Sequence, residues 1–129
     1  MTTATPYIAV QDSRRALDWY IKVFGAEMTV EPIVMDDGSV GHVEFAIDGA
    51  RIMMSDQAPD YGVVAPDLDA PVPVTIHLDV TDADRVVDAA RAEGARVDRE
   101  PGDTPHGRIG TIRDPFGHRW MINGSQQTA

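Results

Sequence analysis

"VQDSRRALD", residues 10–18, returns as "VTDADRVVD", residues 80–88, with Val, Asp, Arg and Asp in the same places. The offset is 70 residues, and it persists on both sides with small slips. Gly25-Ala26 meets Gly94-Ala95 at 69, Gly38 and Gly41 meet Gly107 and Gly110 at 69, and "GARIMMS" (49–55) meets "GHRWMIN" (117–123) at 68. A slow drift of this kind is what short loop deletions produce, so the chain reads as two copies of one supersecondary unit.

The order of elements inside the unit follows from periodicity. "TPYIAV" alternates as a half-buried strand does, and Asp12 then offers an N-cap. Ala16, Leu17, Tyr20, Ile21 and Phe24 recur at helical spacing up to Gly25, a C-terminal stop; Trp19 and Tyr20 are read as packing residues. "MTVEPIVM", "VGHVEFAI" and "ARIMMS" follow as three strands, separated by Asp36-Asp37-Gly38 and Asp48-Gly49. The second copy gives a strand near Val74 to Val80, a helix from Asp82 to Glu93, and strands near Arg96 to Arg99, Arg108 to Arg113 and His118 to Ile122. The reading is an α+β fold, one domain over residues 1–129 made of two tandem βαβββ modules. Module one covers about 4–56, a Pro-, Asp- and Gly-rich linker about 57–71, and module two about 72–124. The linker is also a candidate lid, with Tyr61 as its aromatic.

Composition narrows the function classes. Twenty-one acidic against eleven basic residues give a formal net charge of −10. Only Lys22 among the basic residues is a lysine, so no nucleic-acid surface is expected. The acidic field suits cationic small molecules. Without cysteine, disulfides, thiolate catalysis and Cys-based metal sites drop out. No stretch approaches the length of a membrane span and no export signal stands at the N-terminus, so a soluble, cytoplasmic protein is expected, with no membrane partner.

Strand alternation sorts the side chains into two faces. Val43, Phe45 and Ile47, Ile52 and Met54, Val74, Ile76, Leu78 and Val80, and Trp120 and Ile122 form the core set. The opposite face takes Thr5, Tyr7 and Ala9; His42, Glu44 and Ala46; Arg51, Met53 and Ser55; Thr75, His77 and Asp79; Arg119, Met121 and Asn123. This face mixes hydrogen-bonding groups with soft methionines, as suits an organic ligand. The expected ligand-binding residues are Tyr7, His42, Glu44, Met53, Tyr61, Thr75, His77, His106 and Met121. His106 joins them from a hairpin tip, with a solvated loop histidine as the alternative; His118 is read as a turn residue. His42, Glu44 and His77 form the cluster suited to acid–base work, or to an unorthodox two-histidine, one-carboxylate metal site.

Asp-capped helices ending in Gly-Ala, the duplicated βαβββ order and the closing "RDPFGHRWMI" together resemble the vicinal oxygen chelate superfamily. That superfamily includes glyoxalase I, extradiol dioxygenases, fosfomycin-modifying enzymes and bleomycin-binding resistance proteins. The resemblance spans about Thr5 to Asn123 and is strongest at Asp114-Pro115-Phe116-Gly117-His118. It implies curled sheets around a cup, with up to four metal ligands from the first and last strands of each module. Those positions fall on Thr5, Met53, Thr75 and Met121, none of which suits a hard or borderline divalent ion. The leading expectation is therefore a metal-independent, cofactor-free binding protein that sequesters an antibiotic or another large, partly aromatic natural product. The resemblance further implies a homodimer. The rivals are a glyoxalase-like lyase or isomerase using His42, Glu44 and His77, with or without metal, and a structural or regulatory partner that keeps the fold for dimerisation alone.

Overall fold

The computed structural model describes residues 1–125. Its contacts divide the chain into two compact units, Met1–Pro66 and Asp67–Ala129. The first unit runs β1 (Tyr7–Val10), α1 (Ser13–Phe24), β2 (Glu27–Val34), β3 (Val40–Ile47) and β4 (Ala50–Asp56), then a 3-10 turn at Pro59–Tyr61. The second runs β5 (Thr75–Asp79), α2 (Ala83–Ala92), β6 (Arg96–Thr104), β7 (Gly107–Arg113) and β8 (Arg119–Gly124). Each unit is thus βαβββ, as the repeat requires.

The sheets have the same topology, β1-β4-β3-β2 and β5-β8-β7-β6. In each, the first strand pairs in parallel with the last, and the other neighbours are antiparallel. A helix must therefore carry the chain from the first strand over one face before the remaining strands are laid down as a meander. Asp12 starts α1 by accepting from the Arg14 and Arg15 amides at 3.1 and 3.2 Å, and Asp82 accepts from the Arg85 amide at 3.1 Å. Gly25 ends α1 at φ +69°, a left-handed conformation that favours glycine.

The core lies between each helix and one face of its sheet. Val43, Phe45, Ile47, Ile52, Met54, Leu78, Trp120 and Ile122 are all buried on the face assigned to them. The two cores put their bulk on opposite walls. Tyr20 on α1 is fully buried against Phe45, ring centroids 5.0 Å apart, with Ile52 on β4. At the repeat-equivalent positions α2 presents Ala90 and β8 presents Trp120, both fully buried. The bulk thus sits on the helix in the first copy and on the last strand in the second.

Two expectations need correction. Val74 was placed in the core, but it is 66% exposed and lies just before β5. The preceding Pro73 sits in the linker-like run "PVPV", so the alternation there belongs to a connection rather than to a paired strand. The strand expected at Arg96 to Arg99 runs on to Thr104 through Pro101 and Gly102. It forms an edge strand with register shifts between Val97 and Arg99 and between Arg99 and Gly102, where a missing amide donor is tolerated.

Candidate functional site

The face of the first sheet turned away from α1 carries a chain of hydrogen bonds. Register sets Val30, Glu44, Met53 and Tyr7 side by side across β2, β3, β4 and β1. Residues opposite one another project to the same side, so Glu44 lies between its β3 neighbour His42 and the arginine on β4. His42 Nε2 is 2.8 Å from Glu44 Oε2, and Arg51 Nε donates to Glu44 Oε1 at 2.6 Å. Tyr7 Oη lies 2.7 Å from His42 Nδ1. Three sequence-expected residues, Tyr7, His42 and Glu44, thus meet, and Arg51 completes the chain.

The protonation pattern follows from the electrostatics. The Arg51 guanidinium, and after it His42, hold the Glu44 carboxyl below the usual carboxylate range. An ionised Glu44 can only accept, so His42 carries its proton on Nε2 and leaves the Nδ1 lone pair to accept from the Tyr7 phenol. A proton leaving Tyr7 would pass to His42, whose imidazolium Glu44 would then face. Glu44 itself, only 8% exposed and doubly occupied, is held as an acceptor and orients the His42 ring. The stabilisation from a lowered carboxyl is present above its ordinary pKa of about 4.3 and is lost as pH falls through the lower folded value. Wild type and Glu44→Gln are therefore expected to differ in urea midpoint near about pH 7 and to converge below about pH 4. Parallel urea titrations over that range check the sign.

Tyr7 also lines a cavity of about 850 Å³ within the first unit. Met35, Tyr61 and Gly41 line it as well, and Asp36, Asp37 and Asp60 stand around it. Tyr61 is 87% exposed on the 3-10 turn, an aromatic that can fold onto an occupant. Gly41 leaves room for Met35, whose Sδ would lie 2.6 Å from a Cβ at that position. Asp56, which the sequence reading left out, closes the back of the cavity. Its carboxylate accepts from the Ser13 amide at 2.8 Å and the Val40 amide at 2.9 Å, tying the start of α1 to β3.

In the second unit the corresponding row is Arg99, Thr111, Met121 and His77. His77 is exposed and lies 3.8 Å from the Asp79 carboxylate. Asn123 Nδ2 stands 3.5 Å from His77 Nε2 and donates to the His106 carbonyl at 3.3 Å, so one amide joins His77 to the hairpin tip. His106 itself is exposed. Thr75 Oγ1 accepts from Arg119 Nη1 at 2.7 Å. Met53 and Met121 occupy equivalent, half-buried places in the two sheets.

"DPFGHRW" has a structural job. The buried Asp114 carboxylate accepts from the Phe116 amide at 2.9 Å, the His118 amide at 3.0 Å and Trp120 Nε1 at 2.9 Å. It thereby folds the turn and seats the largest core residue.

The architecture defines a protein of two tandem βαβββ modules, each with one polar sheet face. The model of the glyoxalase/bleomycin resistance protein/dioxygenase superfamily matches residues 2–122, and the chain belongs to that superfamily. It is 34% identical over 122 residues to an uncharacterized Mycobacterium bovis protein, covering 92% of this chain and 80% of the relative. The same identity links it to an uncharacterized Mycobacterium tuberculosis protein, of which 71% is covered. Among solved structures, the Pseudomonas aeruginosa protein PA1353 superposes with a TM-score of 0.76 at 24% identity, covering 98% of this chain and all 100% of that one. TioX from Micromonospora sp. ML1 gives 0.73 at 24% identity over 96% and 98% of the two chains. The Listeria monocytogenes fosfomycin resistance protein FosX, complexed with Mn(II) and sulfate, gives 0.71 at 15% identity over 98% and 91%. These likenesses establish the fold.

The side chains at the superfamily's metal positions do not fit a metal. Thr5, Met53, Thr75 and Met121 offer hydroxyls and thioethers in place of imidazole or carboxylate, and the Thr75 hydroxyl already holds a fixed cation, Arg119. Among the described residues no group of three or more His, Cys, Asp or Glu side chains is placed to hold a metal ion. Both ring nitrogens of His42 are engaged, by Glu44 and Tyr7. No helix among the described residues is long and apolar enough to cross a membrane.

Proposed function

We propose that the protein binds a cationic, partly aromatic small molecule without a metal and sequesters it in the manner of a bleomycin-resistance protein, as a cytoplasmic homodimer. The observation that carries this reading is the roughly 850 Å³ cavity bordered by Tyr7, Met35 and Tyr61. Its size is within the range of small-molecule sites, about 300–1,000 Å³. Two tyrosines and a methionine give stacking and soft contact, while the aspartates around the cavity and the net charge of −10 favour a cation. Of the proposed ligand-binding residues, Tyr7 and Tyr61 line this cavity; His42, Glu44 and Met53 extend the site along the same sheet face, and Thr75, His77, His106 and Met121 are the second unit's contribution.

Titration of the purified protein with metal-free bleomycin and with ethidium, in EDTA, tests the reading by tryptophan fluorescence and calorimetry. Saturable binding of at least one of them is expected, weakened about tenfold by Tyr61→Ala, as the loss of one stacked aromatic implies. Failure of both probes to saturate, or binding that EDTA abolishes, would overturn it. Sedimentation at micromolar concentration checks the dimer.

The Tyr7–His42–Glu44 chain supports a second reading, an acid–base lyase or isomerase of glyoxalase type. It predicts turnover of the methylglyoxal–glutathione hemithioacetal that Glu44→Gln abolishes while substrate affinity changes little.

A further inference from the structure

The second unit holds a feature with no counterpart in the first. Register places Arg96, Arg113 and Arg119 directly opposite one another on β6, β7 and β8, with Thr75 next in line on β5. Directly opposed like charges weaken a sheet, so three adjacent guanidiniums call for a reason. In the first unit the equivalent row is Glu27, Ala46 and Arg51, which carries no such excess.

The row is incompletely neutralised by the protein. Arg96 donates to Asp98 from Nε at 2.6 Å and from Nη2 at 3.2 Å. Arg119 Nε is 4.0 Å from the same carboxylate, and the Arg113 charge also acts on it, so one aspartate serves three arginines. Arg113, 5% exposed, donates to the carbonyls of Gly117, Ala70 and Asp67. Carbonyls satisfy its N–H groups and leave its charge to the shared Asp98. All three arginines border one groove of about 320 Å³, closed on another side by Ala70 and Pro71 and entered past Asp69. In a protein of net charge −10, this groove gathers three arginines against two aspartates, Asp69 and Asp98.

We propose that this groove is a binding site for a small oxyanion of the phosphate or phosphonate type. Arg119 and Arg96 would form its hydrogen-bonding walls and the buried Arg113 its charged floor. Planar guanidiniums match such oxygens in bidentate fashion. Asp98 is the internal competitor, an anion already on the two walls that an incoming oxyanion partly displaces. The site lies wholly within the second unit and does not rest on the cavity of the first.

The test is a titration with inorganic phosphate and with phenylphosphonate, at constant ionic strength made up with chloride, followed through the arginine Nε–H resonances in a ¹⁵N–¹H spectrum. Saturable shifts of the Arg96 and Arg119 signals are expected. Arg119→Gln should raise the dissociation constant about tenfold or more, in line with loss of one charged hydrogen bond. Asp98→Asn should lower it several-fold. Arg14→Gln, which removes the same charge from α1, should leave it unchanged. If Arg119→Gln fails to fold, the tightening in Asp98→Asn decides. Non-saturating shifts, equal weakening by Arg14→Gln, or no gain in Asp98→Asn would overturn the site. Bleomycin binding should survive Arg96→Gln, which removes a partner of Asp98 and lies outside the assigned bleomycin site, and this separates failure of the groove from failure of the first-unit cavity.

Discussion

Asp114→Ala is expected to cost roughly 3–5 kcal/mol of unfolding free energy, because it orphans three buried donors at once and each unsatisfied donor costs about 1–3 kcal/mol before the site relaxes. The donors are the amides of Phe116 and His118 and the indole N–H of Trp120, all within 3.0 Å of one carboxylate. Trp120 is fully buried and cannot turn its indole to solvent without emptying the core beneath α2. Asp114→Asn is expected to lose about half as much, since one oxygen remains an acceptor while the amide nitrogen must face a donor. Urea unfolding followed by tryptophan fluorescence would show the midpoint falling with little change in slope. A loss below about 1 kcal/mol for Asp114→Ala would mean that the turn is held by its backbone alone. The residues that make the superfamily recognisable in "RDPFGHRW" are therefore conformational, and their presence says little about what is bound.

The same distinction explains how far the sequence could be read. The repeat, the Asp caps and the Gly stops are local signals, and α1, β3 and β4 lie where periodicity puts them. Alternation also separated the faces correctly on β3, down to Glu44, although it gave no warning that Glu44 would be closed over by Arg51 and His42. "EPGD", residues 100–103, has the chemistry of a turn, yet tertiary pairing with β7 carries β6 through it. What remained hidden depends on register. The contact of Tyr7 with His42 needs β1 to lie beside β4 and the phenol to reach across to β3. The arginine row needs the pairing of three strands, one of them an irregular edge strand. One signal was available: Arg113 and Arg119 flank "DPFGH", and residues at equal distances from a hairpin turn face each other. Arg96 and Asp98 offered none.

Arg113→Leu carries the second large expectation, a loss of roughly 2–3 kcal/mol from one buried and two part-buried carbonyls left without their donors. Its effect should also be local. Arg113 Nη2 donates to the Asp67 carbonyl at 2.7 Å and Nη1 to that of Ala70, while Nε reaches Gly117 at 3.0 Å. One guanidinium thus ties the start of the second unit to the "DPFG" turn. Lysine cannot replace it, because a single ammonium cannot span three acceptors set in a plane. Thermolysin cleavage near Leu68, already half exposed, is expected to accelerate by about tenfold or more at urea concentrations where the rest of the protein stays folded, as for any segment that opens on its own. Phosphate affinity should fall in the same variant, because the charge under the groove is gone. Unchanged protection at Leu68 would show that the segment is held by its own turn, and unchanged phosphate affinity would show that Arg113 serves only the carbonyls. Because the segment that Arg113 ties down also lines the groove at Ala70 and Pro71, the two readouts are expected to move together, and a fall in phosphate affinity with protection at Leu68 unchanged would assign the effect to charge alone.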